Sequence, residues 1–325
     1  MKINSIKIEK LYDKYNFYWK LNKDVNILAG DNGSYKTTIL KIIASMCEPN
    51  SFDDYLKVKS VIMEMTDDVI IKYRSFRDSL LRLKKESEND ELLKELATKV
   101  SSDLKADEDK SLADLTLNAS IIALRKANSK ISTATFRDSR KYNLIATFDV
   151  PSKINKGSAL DQQLEFLESN YAYYLSDLSK QLSEIIMKNG KVDMNDMQKI
   201  YAQNNLFIKI VNTAFKNTGK VVDTEKSKLQ FKIGNNILAD NKRLSSGEKQ
   251  FLIIMLTVLL QRKEECILIM DEPEISMHLD WQRALLNNIK LLNPYCQIIL
   301  ATHSPGVIMD GWQQLVTNIN NIQIY

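Results

Sequence analysis

Breakers are scarce in this 325-residue chain, with nine glycines and five prolines, against roughly 7% and 5% in average proteins. Collagen-like and low-complexity designs are excluded, and the few glycines that remain mark where the backbone must bend. Gly30 and Gly33 fall together, Gly247 lies inside Ser-Ser-Gly-Glu, and residues 50–150 hold neither glycine nor proline. Cysteine is equally sparse. Cys47, Cys266 and Cys296 are widely spaced without metal-type pairing, which excludes a disulfide scaffold and predicts reduced thiols in a reducing compartment. Long apolar runs are missing, so no transmembrane helix is expected. Residues 1–18 alternate Ile with Lys and Glu, unlike a signal peptide. A cytoplasmic location follows as the expectation. An excess of one charge is lacking too. Forty-five basic against 41 acidic side chains leave +4, too little to argue for nucleic acid from bulk charge.

What is present is an ordinary globular balance, 44% apolar and 26% charged, long enough for about two domains. Period-two alternation predicts a strand over residues 2–9, with further strands at 17–21 and 25–29 and a helix at 37–46. Residues 58–65 and 69–73 read as a hairpin turning at Asp67-Asp68. The stretch 75–125 reads as helix, and 142–150 as a strand stopped by Pro151. Helices are predicted at 159–188 and 195–216, and a strand pair within 228–237 around Gly234. Then helix 247–262, strand 266–270, helix 279–291 and strand 297–301 alternate, which implies a parallel sheet covered on both faces. A last strand is expected at 321–325. The organisation read from this is an α/β core in two pieces, 1–74 and 228–325, around a mostly helical insertion or lid, 75–227. Within 76–141 the 14 basic and 12 acidic side chains read as a solvated face, so patches such as Arg125-Lys126 leave nucleic acid only a minor candidate partner.

The strongest motif is Gly30-Asp31-Asn32-Gly33-Ser34-Tyr35-Lys36-Thr37-Thr38, placed after an apolar strand and before an apolar helix. Its G-x-x-x-x-x-K-[ST] spacing is that of a phosphate-binding loop. Backbone N–H groups and the helix N-terminus make an anion cradle. Lys36 reaches the β- and γ-phosphates, and Thr37 offers its hydroxyl to Mg²⁺. All of Gly30 to Thr38 are expected nucleotide-binding residues; a plain strand–turn–helix with a solvated lysine is the bland alternative. Tyr35 stands where glycine usually precedes the lysine. Its side chain restricts the backbone and can crowd the phosphates, unless a negative φ turns the ring outward. Slower hydrolysis is expected more than impaired nucleotide binding.

Three further segments carry chemistry. Cys266-Ile-Leu-Ile-Met-Asp271-Glu272 is an apolar strand that delivers Asp271 to a Mg²⁺ shell and Glu272 to an attacking water. Leu244-Ser245-Ser246-Gly247-Glu248 opens a helix, where Ser245 and the Gly247 N–H can bind phosphate or Ser245 can simply cap. Of the only two histidines, His303 lies in Ala-Thr-His-Ser-Pro directly after a strand, as a candidate catalytic residue. His278 lies in Ser-Met-His-Leu-Asp, where a functional and a purely structural role stand even.

Together these motifs resemble the ABC-type ATPases over roughly the first 50 and last 85 residues. Leu-Ser-Ser-Gly-Glu is similar to their L-S-G-G-Q signature, with Ser246 and Glu248 as variants. Asp-Glu-Pro-Glu-Ile-Ser-Met-His and Ala-Thr-His-Ser-Pro resemble the SMC-like and OLD-like ATPases common in bacterial anti-phage systems such as Septu and PARIS. The resemblance implies an α/β ATPase head, a P-loop core with a mixed or parallel sheet and an antiparallel β-subdomain, carrying the helical insertion. It implies ATP and Mg²⁺ as cofactors, sandwiched in a homodimer or higher homo-oligomer. Lys36, Thr37 and Asp271 would hold the phosphates and metal, while Glu272 would handle water and His303 would sense the γ-phosphate. Ser245, Gly247 and Glu248 would act in trans. The glutamine of the family's connecting loop is not evident, and Asp149 or Gln162 stands near its place. No nuclease-like domain follows His303, so a nuclease-type or other effector is expected as a separate protein. The function implied is an ATP-hydrolysing regulatory subunit in anti-phage defence. The alternatives are an SMC-like DNA repair or maintenance ATPase, a nucleotide-dependent scaffold with weak turnover, and a transporter subunit. A membrane partner is disfavoured by the helical insertion.

Overall fold

Ile6 and Ile8, two positions apart, are buried with Ile3 and Leu11 in β1 (Ile3–Leu11), which pairs antiparallel with β2 (Tyr15–Lys20). The computed structural model describes residues 1–47, 56–75, 122–125, 142–146, 158–224, 228–234, 236–237 and 241–325. Two compact units divide them, Met1–Tyr142 with Thr317–Tyr325, and Asn143–Val316.

In the first unit, β3 (Val25–Ala29) is a buried strand that leads into α1 (Lys36–Cys47). β4 (Ser60–Met65) and β5 (Val69–Arg74) form the expected hairpin. Asp67 and Asp68 turn it with φ of 65° and 58°, a region that short polar side chains tolerate best after glycine. β6 (Ile122–Arg125) lines up on β5, Ile70 opposite Leu124. These four residues correct the helix expected through 125: the open edge of β5 offers unpaired N–H and C=O groups, and Ile-Ala-Leu satisfies them, so tertiary pairing overrides local helical preference. The rest of that expected helix lies outside the described residues. With β14 (Gln323–Ile324) on β2, the sheet order is β14-β2-β1-β4-β5-β6, and every pairing is antiparallel. Between Gly30 and this sheet's last strand sits α7 (Ile319–Ile322), a single turn with Ile319 buried.

In the second unit, β11 (Ile267–Asp271) and β12 (Gln297–Ala301) are parallel and fully buried from Ile267 to Met270 and from Ile298 to Ala301. β7 (Tyr142–Ala146) lies beside β11; the rest of the strand expected to 150 falls outside the described residues. Two long helices, α2 (Ala159–Asn189) and α3 (Met194–Ala214), make a hairpin. Ser158 and Asp161 form a capping box at the start of α2, and Gly190 ends it in a left-handed conformation. A small antiparallel sheet follows, β8 (Lys220–Val222), β9 (Phe231–Ile233) and β10 (Asn236–Ile237). β8, absent from the sequence-based expectation, is only three residues behind Gly219, too short to show a period. So the described part of 75–227 holds strands as well as helices.

α4 (Ser246–Leu260) is buried along nearly its whole length, and α5 (Leu279–Leu292) buries one stripe, Leu285, Leu286, Ile289 and Leu292. Beyond β12 the chain makes a single turn, α6 (Pro305–Ile308), and a short strand, β13 (Val316–Asn318). Phe215, Phe231, Phe251 and Trp281 meet in an aromatic cluster with centroids 5.4–6.2 Å apart, and the Trp281 indole N–H donates to the Ala214 carbonyl at 3.0 Å. This cluster locks α4 and α5 to the end of α3. All three cysteines are buried free thiols. Among the described residues no helix is long and apolar enough to cross a membrane.

Candidate functional site

The first unit carries the phosphate loop. β3 ends in Ala29, and Gly30 must be glycine: a Cβ there would lie 2.6 Å from the Ile319 methyl and 3.0 Å from Ser34 Oγ. Gly33 turns with φ of 78°, while Asp31 and Asn32 face solvent. Tyr35 does not take the negative φ that would swing its ring outward. It adopts φ of 69°, the conformation natural to the glycine it replaces. Its ring packs on Tyr15 at 4.8 Å and Tyr12 at 5.6 Å between centroids. Hydrogen bonding between the Tyr15 and Tyr35 hydroxyls raises the Tyr35 pKa and lowers that of Tyr15. Neither Tyr12 nor Tyr15 carried any sequence signal.

Tyr35 also supplies the first carbonyl of α1, accepting from Ile39 N–H at 2.9 Å. Lys36 is buried to 6% exposure, its ammonium donating to the Gly30 and Asp31 carbonyls at 3.0 Å each. Thr37 is exposed and Thr38 half-buried. Ser34 Oγ is buried with no hydrogen-bond partner among the described residues. A phosphate oxygen fits these groups: it can accept hydrogen bonds from the Ser34 hydroxyl, the lysine, and the N–H groups that open the 12-residue helix α1, where a helix concentrates positive charge.

The second unit carries the acids and histidine. Because β11 and β12 run parallel with Asp271 opposite Ala301, the chain leaves both strands at the same level. Glu272 keeps the ladder going, its N–H on the Ala301 carbonyl at 2.9 Å. It then turns at φ of 45°, a strained conformation of the kind functional sites hold. That turn carries its carboxylate across to the next loop. Glu272 Oε2 accepts the His303 N–H at 3.2 Å, and Oε1 lies 3.3 Å from the imidazole Nε2. The pair can polarise a water while the half-exposed imidazole faces outward. Glu274, to which the motifs assigned no role, is buried and accepts from Thr302 Oγ1 and from the Ser304 N–H. Its repetition of Glu272 two positions on was the available signal.

The signature segment opens α4. Ser245 is its N-cap in a capping box, accepting from Glu248 N–H at 3.3 Å and donating its own N–H to Glu248 Oε2 at 2.8 Å. Glu248 does not face solvent. It is 1% exposed and taken up by Lys220 at 2.5 and 2.8 Å and Thr218 at 3.0 Å, so it braces the helix start from within. Burial raises its pKa, but Lys220, the Ser245 N–H and Thr218 together hold it below the usual value. Gly247 is buried against the Ser276 backbone, while Ser245 and Ser246 stay exposed. Lys249 ties α4 to the cap of α2 through Asp161 at 2.7 Å. His278 resolves as the N-cap of α5, accepting from the Asp280 N–H at 3.4 Å. Gln162 sits in the first turn of α2, and Asp149 lies outside the described residues.

The family described as "AAA domain, putative AbiEii toxin, Type IV TA system" matches residues 25–310. No curated protein matches the sequence. Among solved structures, the SMC head bound to the C-winged helix domain of ScpA is similar with a TM-score of 0.56 at 11% identity, covering 95% of this chain and 92% of that one. The SMC head domain from Thermotoga maritima gives 0.53 at 12%, over 99% and 97%. The Smc head with extended coiled coil from Pyrococcus furiosus, bound to the C-terminal domain of ScpA, gives 0.51 at 11%, over 95% and 91%. At these identities the likeness is one of fold, that of an SMC head domain.

Proposed function

This chain belongs to the AbiEii-type AAA-domain family, and from that membership we propose that it is an ATP-hydrolysing switch subunit that self-associates around ATP and governs a separate effector protein. Lys36 and the loop N–H groups bind phosphate oxygens, with Ser34 as a further donor. Mg²⁺, when bound, would neutralise phosphate charge, with Thr37 and Asp271 as the side chains proposed to hold it. Glu272 orients the water, and His303 reports the state of the γ-phosphate to its loop. Ser245 acts on the nucleotide of a second copy. The exposed start of α4 supports that role, whereas Glu248, committed to Lys220, supports only the cap. One observation carries the reading, the in-phase register of β11 and β12 that delivers Glu272 and His303 to each other. The place in bacterial defence and the second protein as partner belong to this proposal, beside a family description that names a type IV TA system.

The test uses the full chain, measuring ATP binding by calorimetry, turnover by phosphate release and size by light scattering. Lys36→Ala is expected to lose ATP affinity. Glu272→Gln is expected to keep binding, lose about 100-fold or more in turnover, and accumulate a larger species with ATP. A wild-type chain that takes up no ATP, or a Glu272→Gln variant of unchanged size and rate, overturns the reading. ATP binding without turnover leaves a nucleotide-dependent scaffold instead. Effector activity in the purified chain alone removes the separate partner.

A further inference from the structure

Glu274 is 6% exposed, a placement that a carboxyl group resists unless its oxygens are satisfied. One of them is. Oε1 accepts the Thr302 hydroxyl and, at 3.2 Å, the Ser304 N–H. That N–H is shared with Thr302 Oγ1 at 2.9 Å. Thr302 is itself 1% exposed, and the Ser304 hydroxyl is anchored on Gln282 Oε1 of α5 at 2.6 Å. The residues on either side of His303 are therefore held by a single carboxyl group. His303 itself is held by Glu272, through its N–H and its ring. Two links, from acids two residues apart on the first loop to His303 and to its two immediate neighbours on the second, join the turn after β11 to the turn after β12.

The second oxygen decides the protonation. Glu274 Oε2 is buried with no hydrogen-bond partner among the described residues, and the neighbouring acid is Glu272. Two carboxylates in contact do not both ionise in a dry setting. Burial pushes Glu274 up to about 7, against the Thr302 hydrogen bond and with the Glu272 charge. An apolar side chain would fill this space at lower cost, so the carboxyl group is a costly choice of the kind associated with working sites.

We propose that Glu274 is a positioning residue for ATP hydrolysis: by gripping Thr302 and Ser304 it fixes where His303 stands against Glu272. This rests on the reading of Glu272 and His303 as the hydrolytic pair. Three variants of the full chain test it. Glu274→Gln keeps an acceptor for Thr302 and Ser304 and places an N–H donor beside Glu272. Glu274→Ala removes both, and Thr302→Val removes one donor. Expected are a fall in kcat of about 10–100-fold for Glu274→Ala with KM for ATP within about twofold. A smaller fall is expected for Thr302→Val, and near-wild-type turnover for Glu274→Gln. Equal losses in the Gln and Ala variants, or a loss confined to KM, overturn the proposal. If Glu274→Ala fails to fold, Thr302→Val and Glu274→Gln decide between the same outcomes: a slowed valine variant beside a near-normal glutamine variant supports the grip, and equal rates overturn it. A wild-type chain without turnover sinks the functional reading and this inference with it. An active wild type with an unimpaired Glu274→Ala sinks this inference alone.

Discussion

The carbonyl oxygen of Ser276 lies 2.1 Å from the point where a Cβ on Gly247 would sit. The start of α4 and the turn before α5 thus meet backbone to backbone, with Ser276 at φ of 66°. No rotamer change relieves such a clash, because both partners are main chain. Gly247→Ala is expected to destabilise the protein by about 1–3 kcal/mol, the usual cost of overpacking. Thermal unfolding followed by circular dichroism checks it, and an unchanged melting temperature would show that the two segments can separate freely.

Tyr35 combines a left-handed backbone with ring contacts that offset it. Tyr35→Gly relieves the backbone and loses the contacts with Tyr12 and Tyr15. Tyr35→Ala keeps a Cβ in the unfavourable region and loses them as well. The alanine variant should therefore melt below the glycine variant in the same assay. The reverse order would mean that the loop abandons φ of 69° once the ring is gone.

Lys220 neutralises Glu248, whose side chain is 2% exposed against 14% for the lysine. Lys220→Met strands that charge at a cost of about 3–5 kcal/mol near neutral pH. Since the folded state holds the Glu248 pKa below 4.5, the stability it contributes is present above that value and lost as pH falls through the folded pKa. Denaturant titrations of wild type and variant should converge as the pH falls below 4.5 and through the folded pKa. A deficit that is constant with pH would assign it to packing instead.

Glu274 predicts the opposite slope. Its pKa rises from 4.5 to about 7 on folding, so the folded state holds the extra proton between those values. The associated stability is complete below about 4.5, declines as pH rises, and is gone above about 7, a swing on the order of 3 kcal/mol. Glu274→Gln cannot ionise, so its stability relative to wild type should improve between pH 5 and pH 8. A difference independent of pH would place the proton elsewhere.

Short, mainly apolar strands were legible to within one residue, 266–270 standing one position before β11. Residues 25–29 and 297–301 match β3 and β12, and the long periodic stretches 159–188 and 195–216 became α2 and α3 within two residues at each end. Elements whose stability comes from a partner were not. Ile122–Arg125 is a strand because β5 has an edge to fill, and Lys220–Val222 because β9 lies alongside. The site divides the same way. Spacing pointed to the loop and to the acid and histidine segments, because strand ends place their next residues predictably. It said nothing of Glu248 turning inward to a lysine 28 positions earlier, nor of Ser276 as the reason for Gly247. Those depend on which surfaces meet, and no local pattern encodes that.

Ile319 rests where a side chain on Gly30 would go, and β14 completes the sheet through β2. On the ribosome, the loop at Gly30 emerges long before either of these supports exists. A nascent chain therefore carries the loop sequence without its finished posture, and synthesis itself sets the earliest moment at which the loop's final shape is reached.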